Sequence, residues 1–171
     1  MSVNHMLEVK YNAMLAKAEN QRHPNLENLR VCFEVLALAA AINRDCAFRL
    51  GKYELSEGKF VLLFLLREQP NGLSPHDLAE QAGVSRATIT GLLDGLEQSG
   101  FLARYANTED RRKLIVRLTK QGWTVAQTLF NEHTQWISTL LSDFSSDERQ
   151  ILSKLLRKIW FKTDSVRSSQ V

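Results

Sequence analysis

Apolar residues recur at helical spacing through most of this chain and switch to alternation in only one short region. Near the start, Leu7, Tyr11, Met14, Leu15 and Ala18 fall roughly on one face and predict a short helix. The segment from Gln21 to Asn25, which contains Pro24, breaks it. A long helix is predicted from about Asn25 to Lys52, and its centre, Val31 to Ile42, is apolar nearly all round. A surface helix would carry one apolar stripe, so this one needs cover on several faces. A second subunit is the natural source of that cover; burial within a single chain is the alternative.

Polar punctuation marks the elements that follow. Ser56 caps a helix carrying Phe60, Val61, Leu63, Phe64 and Leu66, which stops before Pro70-Asn71-Gly72. Ser74 caps the next, with Pro75 in its first position and Asp77 in its first turn. Ser85 caps another, which ends at Ser99-Gly100. Phe101 to Ala106 and Lys113 to Leu118 alternate as two antiparallel strands joined by Asn107 to Arg112. Thr119 caps a long helix from about Lys120 to Asp143, and Ser145 with Glu148 forms a capping box that opens a last helix, roughly Ser146 to Lys162. These two helices carry Trp123, Phe130, Trp136, Ile137 and Leu140, then Ile151, Leu155, Ile159 and Trp160, with no obvious core of their own. The simplest burial is against the long N-terminal helix of the same and a second subunit.

The spacing between Ser74 and Gly122 is the most specific part of the chain. Leu78, Ala79, Ala82, Gly83, Val84, Ile89 and Leu92 sit where two crossing helices need apolar or small residues. Ala79 must be small under the second helix, and Gly83 sits in the turn, where a positive φ suits glycine. Ile89 and Leu92 are expected to face the first helix, leaving Arg86, Ala87, Thr88 and Thr90 outward, the edge that meets bases in a major groove. The predicted fold class is mainly α with a small β-wing: a winged helix-turn-helix inserted between N- and C-terminal dimerisation helices. The expected division is an N-terminal extension over 1–24, a helical dimerisation region over 25–54 and 119–163, the DNA-reading domain over 55–118, and a disordered tail over 164–171.

Composition agrees with one well-cored domain of 171 residues at a net charge of +3. The charge is concentrated: between Ser85 and Gly122 seven basic residues face four acidic ones, as large an excess as in the whole chain. A phosphate backbone selects for such a footprint. No secretory leader or membrane-spanning run is expected, since Glu34 interrupts the best apolar stretch. Two cysteines without export signals suggest free thiols and a cytoplasmic protein.

The run Leu78-Ala79-Glu80, Val84-Ser85-Arg86-Ala87-Thr88-Ile89-Thr90, Leu96-Glu97, Gly100-Phe101, Asp110-Arg111-Arg112 and Leu118-Thr119-Lys120-Gln121-Gly122 resembles the MarR family of bacterial regulators. The resemblance implies a homodimeric winged-helix transcription factor, usually a repressor, that binds a palindrome in double-stranded DNA and often responds to a small aromatic ligand or an oxidant. By position, Ser85, Arg86, Ala87, Thr88 and Thr90 would lie at the major groove, with Ser74 beside them. Arg86 suits a bidentate guanine contact, and Ser85 and Thr88 suit phosphate or mixed contacts. Arg111, with Arg112 beside it, would reach from the wing into a minor groove, and Asp110 would position a wing arginine. Gly91 and Gly95 depart from the family, which often has a basic residue there; they permit close approach of another segment or leave a less cationic reader.

Alternatives remain open at this level. The winged helix can serve protein–protein contact without an operator. Cys32 resembles the peroxide-reactive cysteine of organic-hydroperoxide sensors in the family, although the tyrosines around that thiol correspond here to Cys46 and Glu57. A buried structural role for Cys32 is the expectation, and Cys32 and Cys46 are about 21 Å apart along one helix, too far to bridge. The histidines show no metal-ligand spacing, and no nucleophile or phosphate loop is apparent, so neither an enzyme nor a bound metal or other cofactor is expected. A small aromatic effector of unidentified structure would sit in a pocket between the long N-terminal helix, the Phe60 to Leu66 helix and the DNA-reading unit.

Overall fold

The computed structural model describes residues 7–106 and 114–168, and side chains through residue 163. In chain order the elements are α1 (Val9–Asn20), α2 (Leu26–Gly51), α3 (Glu57–Arg67), α4 (Pro75–Ala82), α5 (Arg86–Gln98), β1 (Leu102–Ala106), β2 (Leu114–Leu118), α6 (Lys120–Leu140) and α7 (Ser146–Ser168). Mainly α with a two-stranded wing is the observed class.

Helix starts follow the hydroxyl residues. Ser56, Ser74, Ser85 and Thr119 stand in extended backbone, and each side chain accepts the amide hydrogen three residues on, from Lys59, Asp77, Thr88 and Gly122. Ser145 and Glu148 form a reciprocal box: the Glu148 amide donates to Ser145 Oγ at 3.2 Å and the Ser145 amide donates to Glu148 Oε2 at 2.8 Å.

β1 and β2 pair antiparallel, Leu102 opposite Leu118 through Ala106 opposite Leu114. Leu73 adds a short third rung, exchanging backbone hydrogen bonds of 3.1 and 2.8 Å with Val116. The rung needs Gly72, whose φ is +82° and whose absent Cβ would stand 2.4 Å from the Val116 carbonyl oxygen. At the other end of the wing, the Thr119 amide donates to the Phe101 carbonyl at 3.0 Å and its hydroxyl donates to the Gly100 carbonyl at 2.7 Å. Gly122 lies so close to this strap that a Cβ would fall 1.7 Å from Phe101 O.

The main core joins Leu50, Leu55, Leu62, Leu63, Leu66, Leu78, Ile89, Leu93, Leu96, Leu102, Val116 and Leu129, so the C-terminal end of α2 and the first half of α6 are built into the winged unit. A second, smaller core lies between α1 and α2, where Leu7, Leu15, Phe33 and Ala37 are buried and Tyr11 stacks on Phe33 at 4.7 Å. Met14, expected on that face, is exposed instead, because Tyr11 and Leu15 of α1, with Leu7 just ahead of it, make the face toward α2.

Large apolar side chains lie open on this chain: Val31, Leu36 and Leu38 on α2, Ile137 and Leu140 on α6, and Ile151, Leu155, Leu156, Ile159, Trp160 and Phe161 on α7. α7 makes no substantial packing contact with another described element. Its helix runs to Ser168, which corrects the expected disordered tail over 164–168, while 169–171 lie outside the described residues; no glycine or proline follows Gly122 to stop it. Among the described residues, no helix is long and apolar enough to cross a membrane.

Candidate nucleic-acid interface

α4 and α5 meet across a tight turn. Gly83 takes φ +65°, which lets its amide reach the Glu80 carbonyl at 3.1 Å and the Val84 amide reach the Ala79 carbonyl at 3.0 Å. Ala79 is buried beneath the crossing, as a small residue must be there. Ile89, Leu93 and Leu96 form the buried face of α5. Leu92, expected to face α4, is half-buried; it borders Ala82 and Val84 at the end of α4 and also approaches α3, where a Cβ added to Gly58 would stand 3.1 Å from Leu92 Cδ1. Leu92 and Leu93 stand three and four residues after Ile89, and of the two Leu93, with Leu96 three further on, takes the inward place.

The opposite face is open: Arg86, Ala87, Thr88, Thr90, Gly91, Asp94 and Gln98 are exposed. Its hydroxyls are locally ordered. Ser85 Oγ and Thr88 Oγ1 lie 2.9 Å apart, and Thr90 Oγ1 donates to the Arg86 carbonyl at 3.0 Å. Each oxygen keeps acceptor capacity for an outside donor. Ser74 is half-buried, and its hydroxyl donates to Asp77 Oδ2 at 2.7 Å while accepting from the Asp77 amide. The Arg86 guanidinium has no carboxylate partner among the described residues.

Arg104, half-buried on β1, ties the wing to α5. Its guanidinium donates to Asp94 Oδ1 at 2.6 Å and to Glu97 Oε2 at 2.7 Å. Sequence reasoning counted Arg104 only as charge and missed this clasp; two carboxylates three apart on α5, facing a strand arginine, were its available signal. Arg117 is also engaged, its Nε donating to the Asn71 carbonyl at 2.9 Å. Asp110, Arg111 and Arg112 lie outside the described residues.

The two unusual glycines differ in surroundings. Gly91 has nothing within 4 Å of where a Cβ would be, whereas the same position at Gly95 is 2.9 Å from Lys59 Cε and 3.1 Å from Lys59 Nζ. Close approach of another segment therefore holds for Gly95 alone.

A second concave region lies where α2 ends against α6. A cleft of about 380 Å³ is lined by Arg49, Lys52, Glu132, Gln135, Trp136 and Thr139. At its wall, the Tyr53 hydroxyl donates to Glu132 at 2.9 Å, which raises the phenol's pKa above the ordinary range. His133 sits between Phe60 and Trp136, with ring centres at 4.8 and 5.0 Å. Burial, and secondarily the Arg49 charge, holds its pKa below the usual imidazole range. Trp136 Nε1 is buried with no hydrogen-bond partner. Between the Phe60 to Leu66 helix and the DNA-reading unit, two of the three walls expected of an effector pocket, lies a smaller cleft of about 250 Å³, lined by Glu57, Gly58, Val61, Ala82, Val84 and Leu92. The long helix does not line it; its end turns Leu50 into the core instead.

Cys32 is exposed, which corrects its expected burial: it lies off the Phe33 and Ala37 face that α1 covers. Cys46 is half-buried, and desolvation, then the Glu57 and Asp45 charges, pushes its thiol pKa up. No group of three metal-ligating side chains occurs among the described residues.

Comparison with known proteins adds the following. The sequence pattern of the MarR family matches residues 55–114. The HTH-type transcriptional repressor YetL of Bacillus subtilis is 33% identical over 148 residues, covering 86% of this chain and 89% of that protein. The HTH-type transcriptional regulator PecS of Dickeya dadantii is 30% identical over 137 residues, covering 79% of this chain and 82% of that protein. In three dimensions, the S. aureus MepR–DNA complex matches with a TM-score of 0.64 at 21% identity, over 73% of this chain and 92% of that one, a likeness of fold.

Proposed function

Because this chain belongs to the MarR family of helix-turn-helix transcriptional regulators, we propose that it is a ligand-responsive repressor that binds an inverted repeat in double-stranded DNA as a homodimer. The observation that carries this reading is the open face of α5, with an exposed, unpaired Arg86 flanked by ordered hydroxyls. Arg86 and Thr90 contact base edges, Ala87 keeps the helix low in the groove, and Ser74, Ser85 and Thr88 contact phosphates, Ser74 by turning its hydroxyl hydrogen from Asp77 to a phosphate oxygen. Arg111 and Arg112 enter the minor groove with Asp110 as their positioner.

Dimerisation uses the helical regions 25–54 and 119–163, whose open apolar side chains on α2, α6 and α7 need a covering surface. A two-fold pair of recognition helices one turn of DNA apart requires a symmetric site. The protein works in the cytoplasm and carries no catalytic chemistry. Its effector is a small aromatic acid held in the α2–α6 cleft, where Arg49 and Lys52 supply cations and Trp136 an aromatic wall with a spare donor.

Selection from a pool of random duplexes tests the DNA reading. The wild-type protein is expected to enrich an inverted repeat, and Arg86→Ala is expected to weaken binding to it by about 1–3 kcal/mol while relaxing one base position. Enrichment of no duplex at low salt overturns the reading in favour of protein–protein contact. A thermal-shift screen of aromatic acids, with Arg49→Ala as control, tests the effector site.

A further inference from the structure

We infer that Lys59, which belongs to α3 and not to the helix-turn-helix, is a phosphate-contacting residue of the DNA-reading surface, seated there by Gly95. The inference rests on the operator-binding reading above. Around α5, Ile89, Leu93 and Leu96 point inward, while Ala87, Gly91, Asp94 and Gln98 point out. Asp94 and Glu97 flank the outward face on one side and hold Arg104 of the wing. Leu92 and Gly95 flank it on the other and meet α3 through Gly58 and Lys59.

Lys59 crosses α5 where Gly95 has no side chain, its Cε 2.9 Å and its Nζ 3.1 Å from the vacant Cβ position. Any other residue at 95 would displace it. The ammonium also lacks a carboxylate to explain its placement: Asp94 and Glu97 both belong to Arg104, and Lys59 Nζ has no hydrogen bond or ion pair among the described residues. Gly91, one turn before Gly95 on the same side of α5, is fully open, so the cation sits one helical turn along α5 from an open part of that face. A helix seated in a major groove about 12 Å wide has a phosphate strand along each flank, within reach of a lysine stem lying over that flank. A recognition helix whose only cationic side chain is Arg86 thus borrows a second cation from its neighbour.

The probe is the duplex that the wild-type protein enriches from a random pool, so failure to enrich any duplex overturns the operator reading and this inference with it. On that duplex, Lys59→Met is expected to reduce the slope of log affinity against log salt by about 0.9 for each phosphate left unneutralised, roughly 2 for a symmetric pair. It should weaken scrambled duplexes by a similar factor, as a sequence-blind contact does. Lys59→Arg should retain the slope. Gly95→Ala should weaken binding in the wild-type background and add nothing to Lys59→Met, because both remove the same phosphate interaction. An unchanged slope in a Lys59→Met protein that melts like wild type overturns the inference, as does additive weakening in the double variant.

Discussion

Arg104 of β1 holds Glu97 of α5 twice, through its guanidinium at 2.7 Å and its backbone amide at 3.3 Å. The wing is thereby registered against the recognition helix from outside the hydrophobic core. Ion pairs exposed to this degree contribute about 0.2–1 kcal/mol each. Arg104→Met should therefore lower the melting temperature by only a few degrees, yet weaken operator binding by about tenfold, equivalent to about 1.4 kcal/mol. Calorimetry beside a binding titration checks both; a large melting shift with unchanged affinity sinks the registration idea.

Gly91 and Gly122 make opposite predictions for the same change. Gly91→Ala meets open space and replaces a poor helix former, so it should stabilise the fold by up to about 1 kcal/mol. Gly122→Ala drives a methyl into the Phe101 carbonyl and should cost on the order of 3 kcal/mol or more. Denaturant unfolding of both variants gives the comparison.

His133 introduces a pH dependence whose sign follows from its lowered pKa. Below its ordinary value of 6.5, the unfolded chain takes up a proton more readily than the folded one. Its contribution is therefore fully present above pH 6.5 and declines as pH falls toward the folded pKa. His133→Phe should flatten melting temperature against pH between about 5 and 7. A profile as steep as that of the wild type counts against this assignment.

Cys46 should alkylate more slowly than a free cysteine at pH 8 in the folded protein, since burial and two nearby carboxylates disfavour its thiolate. Unfolding should abolish the difference. Rapid folded-state labelling of Cys46, resolved by peptide mass, contradicts the stated environment.

Local chemistry made much of this molecule readable before its structure. Ser56, Ser74, Ser85 and Thr119 announced four helix starts because a cap acts within three residues of itself. Gly83 announced the turn for the same reason. Relationships that depend on the third dimension were hidden. Lys59 and Gly95 are distant in sequence, and only the packing of α3 on α5 brings them together. Leu92 and Leu93 are both apolar neighbours, so periodicity could not decide which one the core receives. Cys32, expected to be buried, is exposed, because on one chain α1 covers only the Phe33 and Ala37 side of α2.

The strap at Thr119 bears on how a signal could travel. With its amide on Phe101, its hydroxyl on Gly100 and Gly122 pressed against the same carbonyl, α6 leaves the wing with no slack residue between them. The same helix passes from the wing to the cleft beside Trp136, where the effector is proposed to sit. On that reading, an occupant that tilts α6 would turn the wing in the same stroke, without melting a loop on the way.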